Sequence, residues 1–255
     1  AGISFAYAKN FVDGEGFSTY PGGERVEGFS NPLWTFILSF FYWIGVSPWT
    51  SSKLLGAVFG VITLPCIYRI TRRMGVQGDF ALLAPAMLAF SPNFTIWNGS
   101  GLENSLYVML ISAATLRLLI EVEQPSRFQW SGLLFCGVAM TRPEGLMYVA
   151  VAGAARVLFA GRDRAQWVAL VKWGLVFMIP FAAYFTWRMW YFSWTYPNTY
   201  YAKLGKGGRF VPFDWTRKGW QYIDRYLSDE YTIKKRTYLG HNLYYFLALL
   251  PIAMV

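Results

Sequence analysis

Four stretches of this 255-residue chain carry side chains able to hold an anion or orient a hydroxyl. Glu24, Arg25 and Glu27 stand just ahead of Asn31-Pro32, and Glu103 closes Ser100-Gly101-Leu102-Glu103. Arg142 and Glu144 lie in Thr141-Arg142-Pro143-Glu144-Gly145. Asn198, Tyr200, Tyr201 and Lys203 fall in Tyr196-Pro197-Asn198-Thr199-Tyr200-Tyr201-Ala202-Lys203. The amide, hydroxyls and ammonium of that last stretch form a donor-rich set suited to sugar hydroxyls and phosphate. Gly205-Lys206-Gly207-Gly208-Arg209 adds flexible positive charge behind it. The plainer reading of the same residues is a basic interfacial loop touching anionic lipid.

Each of the other three stretches also has a purely structural reading. Ser100-x-x-Glu103 and Thr141-x-x-Glu144 both have capping-box spacing, in which hydroxyl and carboxylate satisfy orphan amides at a helix start. Asn31 is a good N-cap residue and Pro32 suits the first helical position. Glu24, Arg25 and Glu27 could be a solvated turn with local ion pairs. Along an extended chain Glu27 shares a side with Arg25, and Glu24 takes the other. Arg142 has no capping role. An arginine at membrane depth costs roughly 2.5 to 3.5 kcal/mol on insertion scales, so it requires a partner, either an acid of the first loop or the phosphate of a ligand.

The elements that must position these residues are membrane helices. Hydrophobic residues make up 55% of the chain and charged residues 15%, well below the roughly 25% charged content of soluble domains, and long apolar runs recur throughout. Residues 1 to 31 are net acidic and read as a loop outside the cytoplasm. Asn31-Pro32 starts a helix through about Gly45, at about 21 Å too short to span and therefore juxtamembrane or re-entrant. Residues 51 to 68 form a span ending at Arg69, Arg72 and Arg73, which marks the cytoplasmic side. Residues 79 to 97 return outward with a break at Ser91-Pro92, and residues 102 to 120 come back in.

Residues 130 to 159 are either one kinked span of about 45 Å or two short arms joined at Thr141 to Glu144. A single span would place Arg142 and Glu144 at mid-membrane, so the hairpin is preferred, although the nine Lys and Arg against four Asp and Glu of residues 191 to 241 favour a cytoplasmic loop there. With the hairpin, residues 167 to 190 run outward and every polar stretch falls on one side of the membrane. The organisation is one transmembrane domain over residues 1–255, with a first extracytoplasmic loop and juxtamembrane helix in 1–50 and a basic extracytoplasmic loop in 191–241. The absent initiator Met and the apolar end at Val255 give the expectation of a fragment, with at least one span missing at each end.

Aromatic residues at 20%, including 12 Trp and 17 Tyr, exceed what interfacial belts require and fit sugar stacking. The single histidine excludes a multi-histidine metal site, Cys66 and Cys136 lie in apolar runs, and no nucleic-acid module is present.

Together the Gly23 to Trp34, Thr141 to Gly145 and Tyr196 to Lys203 stretches resemble the polytopic GT-C glycosyltransferases, and within them the mycobacterial-type arabinofuranosyltransferase branch. The resemblance implies an all-α bundle with extracytoplasmic juxtamembrane helices in a bacterial inner membrane, its site facing the periplasm. It implies transfer of a sugar from a polyprenyl-phosphate donor to an extracytoplasmic glycan or lipid acceptor. Arg142 and Lys203 would hold the phosphate, Asn198 and Tyr201 orient the sugar, and Glu27 position the acceptor. Ala1 to Ala8 resembles the segment that follows the family's acidic pair, so the general base is expected upstream of Ala1. Gly2 and Ala6 depart from that pattern. The alternatives are a non-catalytic scaffold subunit of a membrane complex and, third, a lipid-linked sugar transporter. No cofactor is implied, and a divalent cation stays open.

Overall fold

The computed structural model describes residues 1–193 together with the short strands at 231–233 and 236–238. The chain divides into two units, Ala1–Lys203 and Leu204–Val255. In the second unit β1 (Tyr231–Ile233) pairs antiparallel with β2 (Arg236–Tyr238), within the stretch that the sequence presents as a basic loop.

The described part of the first unit is all-α. It comprises α1 (Gly2–Val12), α2 (Pro32–Trp43), α3 (Pro48–Arg73), a 3₁₀ turn at Gly78–Leu82, α4 (Leu83–Ala89), α5 (Pro92–Gly99), α6 (Asn104–Glu123), α7 (Trp130–Thr141), α8 (Gly145–Ala160) and α9 (Arg164–Phe192). Three of these, α3, α6 and α9, are long and apolar enough to cross a membrane, and the pair Gly78–Ala89 and Pro92–Gly99, bent by 56°, makes a fourth if counted as one span. The bend falls at Ser91-Pro92, where the residue before proline is driven out of the helical region.

Local chemistry explains the helix starts. Ser47 Oγ accepts from the Thr50 N–H ahead of Pro48 in the first turn of α3, and the Asp163 carboxylate accepts from Ala165 N–H at 2.8 Å to open α9. The outer faces of α3 and α9 are apolar, with Leu54, Val58 and Val61 on one and Val171, Leu175 and Ile179 on the other exposed. In water such a surface would be an aggregation site; in lipid it is the expected exterior.

The two-arm reading of residues 130 to 160 is the one the structure adopts. Arg156 near the end of α8 donates to Gln129, just before α7, at 2.5 Å, so the arms run antiparallel. Gly132 on α7 and Gly153 on α8 both face Trp173 of α9. Pro143 forces Arg142 into extended backbone (φ −151°, ψ 144°), which ends α7 and turns the chain. Gly145 then passes so close to α7 that a Cβ would lie 2.4 Å from the Val138 carbonyl oxygen.

The bundle therefore has two distinct ends. At the loop end sit α1, the residue 13–31 segment, the starts of α3 and α6, the α7–α8 corner and the last turns of α9. At the arginine end sit Arg72, Arg73, the close of α6 and the start of α9, tied by Arg73–Glu123 at 2.5 Å and by Gln166 donating to the Val122 carbonyl.

Three expectations require correction. Residues 1 to 31 are not all loop, because residues 2–12 form α1, whose Tyr7 and Ala8 are buried against the rest of the loop end. Neither capping box forms. Thr141 Oγ1 donates to the Gly137 carbonyl at 2.7 Å inside α7, and Ser100 lies at the end of α5, its hydroxyl donating to the Trp97 carbonyl. Asn31 holds the N-cap position, but its side chain makes no capping bond and is used elsewhere.

Two cores hold the unit together. One packs Trp34 and Leu38 of α2 with Leu106, Leu110, Phe135, Val138, Trp173 and Phe177. The other surrounds the fully buried Phe17, whose ring meets Phe11, Phe29, Phe36, Trp187 and Tyr191. Accessibility labelling tests the two-ended arrangement. In a background lacking Cys66 and Cys136, Ser30→Cys and Ser126→Cys are expected to react with an impermeant thiol reagent from opposite sides of the membrane, Ser126 from the cytoplasmic side. Labelling of both from one side would reject it.

Candidate functional site

Arg142 lies at the centre of the loop end. Its Nη1 donates to Glu103 Oε1 at 3.1 Å and to Asn104 Oδ1 at 3.0 Å, and its Nε meets Glu144 Oε2 at 3.5 Å. Its guanidinium carbon lies 5.9 Å from the centre of the Tyr107 ring. The partner acids thus come from the start of α6 and from the corner itself. No first-loop acid pairs with it, which corrects that alternative.

The second oxygen of Glu103 accepts from Asn31 Nδ2 at 2.8 Å, and Asn31 Oδ1 accepts from Ser4 Oγ at 3.1 Å. A polar chain therefore runs Ser4, Asn31, Glu103, Arg142, Glu144, joining α1, α2, α6 and the α7–α8 corner. It explains why Asn31 and Glu103 do no capping: their polar groups face each other.

Two cavities flank this chain. One, of about 610 Å³, lies between α5 and α6 and includes Asn93, Asn98 and Trp97. The other, of about 600 Å³, lies between α6 and α8 and includes Glu144, Met147, Tyr148 and Val151. Asn104, Tyr107 and Arg142 line both, so the guanidinium stands between them. Ser105 Oγ and Tyr107 Oη are buried with no hydrogen-bond partner among the described residues. One guanidinium with two carboxylates leaves the local charge at minus one, so an incoming phosphate needs further positive charge or the release of a carboxylate.

Glu27 is placed in a second centre. It is buried, and Arg188 of α9 donates to Glu27 Oε2 through Nε at 2.7 Å and approaches it through Nη2 at 2.5 Å. Burial pushes the Glu27 carboxyl above the usual carboxylate range, while the Arg188 hydrogen bond and charge, and a hydrogen bond with Tyr184, pull it back. The loop carrying it is pinned by Tyr7, which donates to the Val26 carbonyl and accepts from Gly28 N–H at 3.0 Å. Arg25 is exposed over the Tyr191 ring at 5.4 Å, so Arg25 and Glu27 both face the last turns of α9. Glu24 is exposed. Asn198, Tyr200, Tyr201 and Lys203 lie outside the described residues.

The structure brings Asn31, Glu103, Arg142 and Glu144 together and separates Glu24, Arg25 and Glu27 from them. Sequence reasoning passed over Ser4, Asn104, Tyr107 and Arg188. For Arg188 the signal was present, since an arginine in an apolar span needs a buried acid by the same cost that marked Arg142. For Asn104 and Tyr107 no local signal exists; only the packing of α6 against the corner makes them neighbours of Arg142.

The buried pair yields a stability test. Glu27→Ala and Arg188→Ala, each stranding a buried partner, are each expected to lower stability by about 3 to 5 kcal/mol, read as apparent unfolding temperature in detergent. Replacing both by apolar residues of similar size should recover most of the loss. Equal instability in the apolar double variant would show that the pair does more than satisfy itself.

Residues 30–190 match the family model described as dolichyl-phosphate-mannose-protein mannosyltransferase. No curated protein and no solved structure matches the chain. The matched stretch contains Asn31, Glu103, Arg142, Glu144 and Arg188, and leaves Ser4 and Glu27 outside it.

Proposed function

The chain belongs to the dolichyl-phosphate-mannose-protein mannosyltransferase family, whose members are membrane glycosyltransferases that draw their sugar from a polyprenyl-phosphate carrier, and from that premise we propose a site for the transfer. The carrier phosphate binds at Arg142, and its polyprenyl chain lies along Met147 and Val151, one helical turn apart on α8 beside Tyr148. Asn104 and the orphaned Tyr107 hydroxyl meet the sugar. The cavity between α5 and α6, with Asn93 and Asn98, takes the acceptor, an extracytoplasmic glycan or lipid. The observation that carries this reading is the position of Arg142 between two cavities that share its guanidinium.

In the transfer an acceptor hydroxyl oxygen forms a bond to the anomeric carbon as the bond from that carbon to the phosphate oxygen breaks. The electron pair leaves with the polyprenyl phosphate, and the hydroxyl proton passes to a carboxylate. That carboxylate is assigned to the segment preceding Ala1 in the full-length protein. The support is positional: α1 begins beside Ser4, whose hydroxyl is three hydrogen bonds from Arg142. Lys203 supplies the second positive charge that Glu103 and Glu144 make necessary, while Asn198 and Tyr201 orient the sugar. Glu27 acts on the acceptor side through the loop it anchors to Arg188.

The family description names mannose. The arabinofuranosyl reading rests on the three sequence stretches alone, and a bacterial inner membrane with a periplasmic site follows only from it. A scaffold role is the competing reading, and its support is that Arg142 already has two carboxylates.

Arg142→Lys keeps the charge and loses the fork. In the full-length protein it is expected to lower transfer by about tenfold or more, the cost of one charge-assisted contact, with the protein still folded and inserted. The assay offers polyprenyl-phosphate mannose and polyprenyl-phosphate arabinofuranose side by side. Full activity of Arg142→Lys shows that a point charge, or nothing specific, suffices there, and absence of transfer from either donor by the parent protein supports the scaffold.

A further inference from the structure

The arginine end of the bundle holds a third cavity, of about 500 Å³, between the loop leading into α7 and the first half of α9. Arg127 and Lys172 line it, with Phe128 and Leu175 among its apolar walls and no acidic side chain in its lining. Neither cation has a carboxylate partner among the described residues. The nearby acids are committed elsewhere: Glu123 pairs with Arg73, and the fully buried Glu121 accepts from the Ser131 hydroxyl and N–H and from Arg117. Among the described residues the positive charge in the cavity is therefore uncompensated.

The cavity wall is also preformed. Gln129 is buried, and its Nε2 donates to the Arg127 carbonyl at 2.7 Å and to the Pro125 carbonyl at 3.3 Å, while its Oε1 accepts from Arg156. This fixes the backbone that carries Arg127. Lys172 stands eight residues into α9, about 12 Å along the helix, where an ammonium needs either an anion or a route back to the interface. Exposed Phe128 and Trp130, rings 4.7 Å apart, mark the interfacial level. From Lys172 the same helix face continues into the bilayer through exposed Leu175, Met178 and Ile179.

A cation on a fixed stretch of backbone, a second cation that can reach the interface and a continuous apolar strip match the three parts of a leaflet lipid. We propose that this cavity binds an anionic phospholipid, its phosphate held by Arg127 and Lys172 and an acyl chain lying along Leu175, Met178 and Ile179. The site shares no residue with the cavities at Arg142 and stands whether or not sugar is transferred there.

The test is lipid retention by the purified full-length protein, followed by native mass spectrometry after exchange from phosphatidylglycerol or phosphatidylcholine micelles. Phosphatidylglycerol should be retained and phosphatidylcholine lost. Arg127→Gln and Lys172→Gln should each lower retention about fivefold, the worth of one basic residue at an anionic surface, and Arg127→Lys should keep most of it. The control is Arg162→Gln with Arg164→Gln, which removes two charges from the same end outside the cavity. Equal loss in that control would assign retention to the diffuse field of the arginine end and overturn the site. Unchanged retention in both single variants, or displacement of the lipid by millimolar inorganic phosphate, would overturn it as well. Unfolding temperature in lipid-free micelles checks each variant's fold, and the two single substitutions on separate elements keep the test decisive if one fails to fold.

Discussion

A guanidinium brought to a helix corner inside a membrane protein must be met by an acid, and the Glu103–Arg142 pair is the contact on which the loop end depends. Pro143 fixes where Arg142 stands by denying it a helical backbone. Glu103 can meet it only if α6 begins at the same level, and its second oxygen is then free to receive Asn31, which sets the entry of α2. Asn31 in turn receives Ser4 and so seats α1. The corner thus organises four elements through a single file of polar groups, and the two cavities lie on either side of Arg142.

Glu27 and Arg188 perform the complementary task. They lock the first loop to the final turns of α9, with Phe17 and its ring of aromatics sealing the joint. One ion pair is partly exposed and faces two cavities; the other is dry. The desolvation penalty of the dry pair is tolerable because both charges are satisfied together, whereas the open pair retains exposure that a ligand can use.

The spans were legible because their evidence is local. The run ending at Arg72 and Arg73, the break at Ser91-Pro92 and the short arms about Thr141 each announce themselves in fewer than 30 residues. The fold class followed from them. What escaped was chemistry shared between elements. Ser-x-x-Glu and Thr-x-x-Glu spacing is ordinarily a helix start, yet here Glu103 and Glu144 were drawn to Arg142, since a charge-assisted contact outweighs a cap. α1 was missed because its small and polar residues, such as Gly2, Ser4 and Asn10, carry little helical periodicity, and its stability comes from burying Tyr7 against the first loop and Ala8 against α2. Asn104 and Tyr107 became neighbours of Arg142 through tertiary packing alone, which no window of sequence records.

The cavity between α6 and α8 opens along Met147 and Val151, both on the outward side of the bundle. A ligand reaching Arg142 by that route arrives by lateral diffusion in two dimensions, without leaving the membrane. Occupancy then follows the mole fraction of the ligand among the surrounding lipids and is indifferent to the volume of the aqueous phase. Adding inert lipid would starve such a site, and concentrating the protein in a small membrane domain would feed it, with no change in any contact at Arg142.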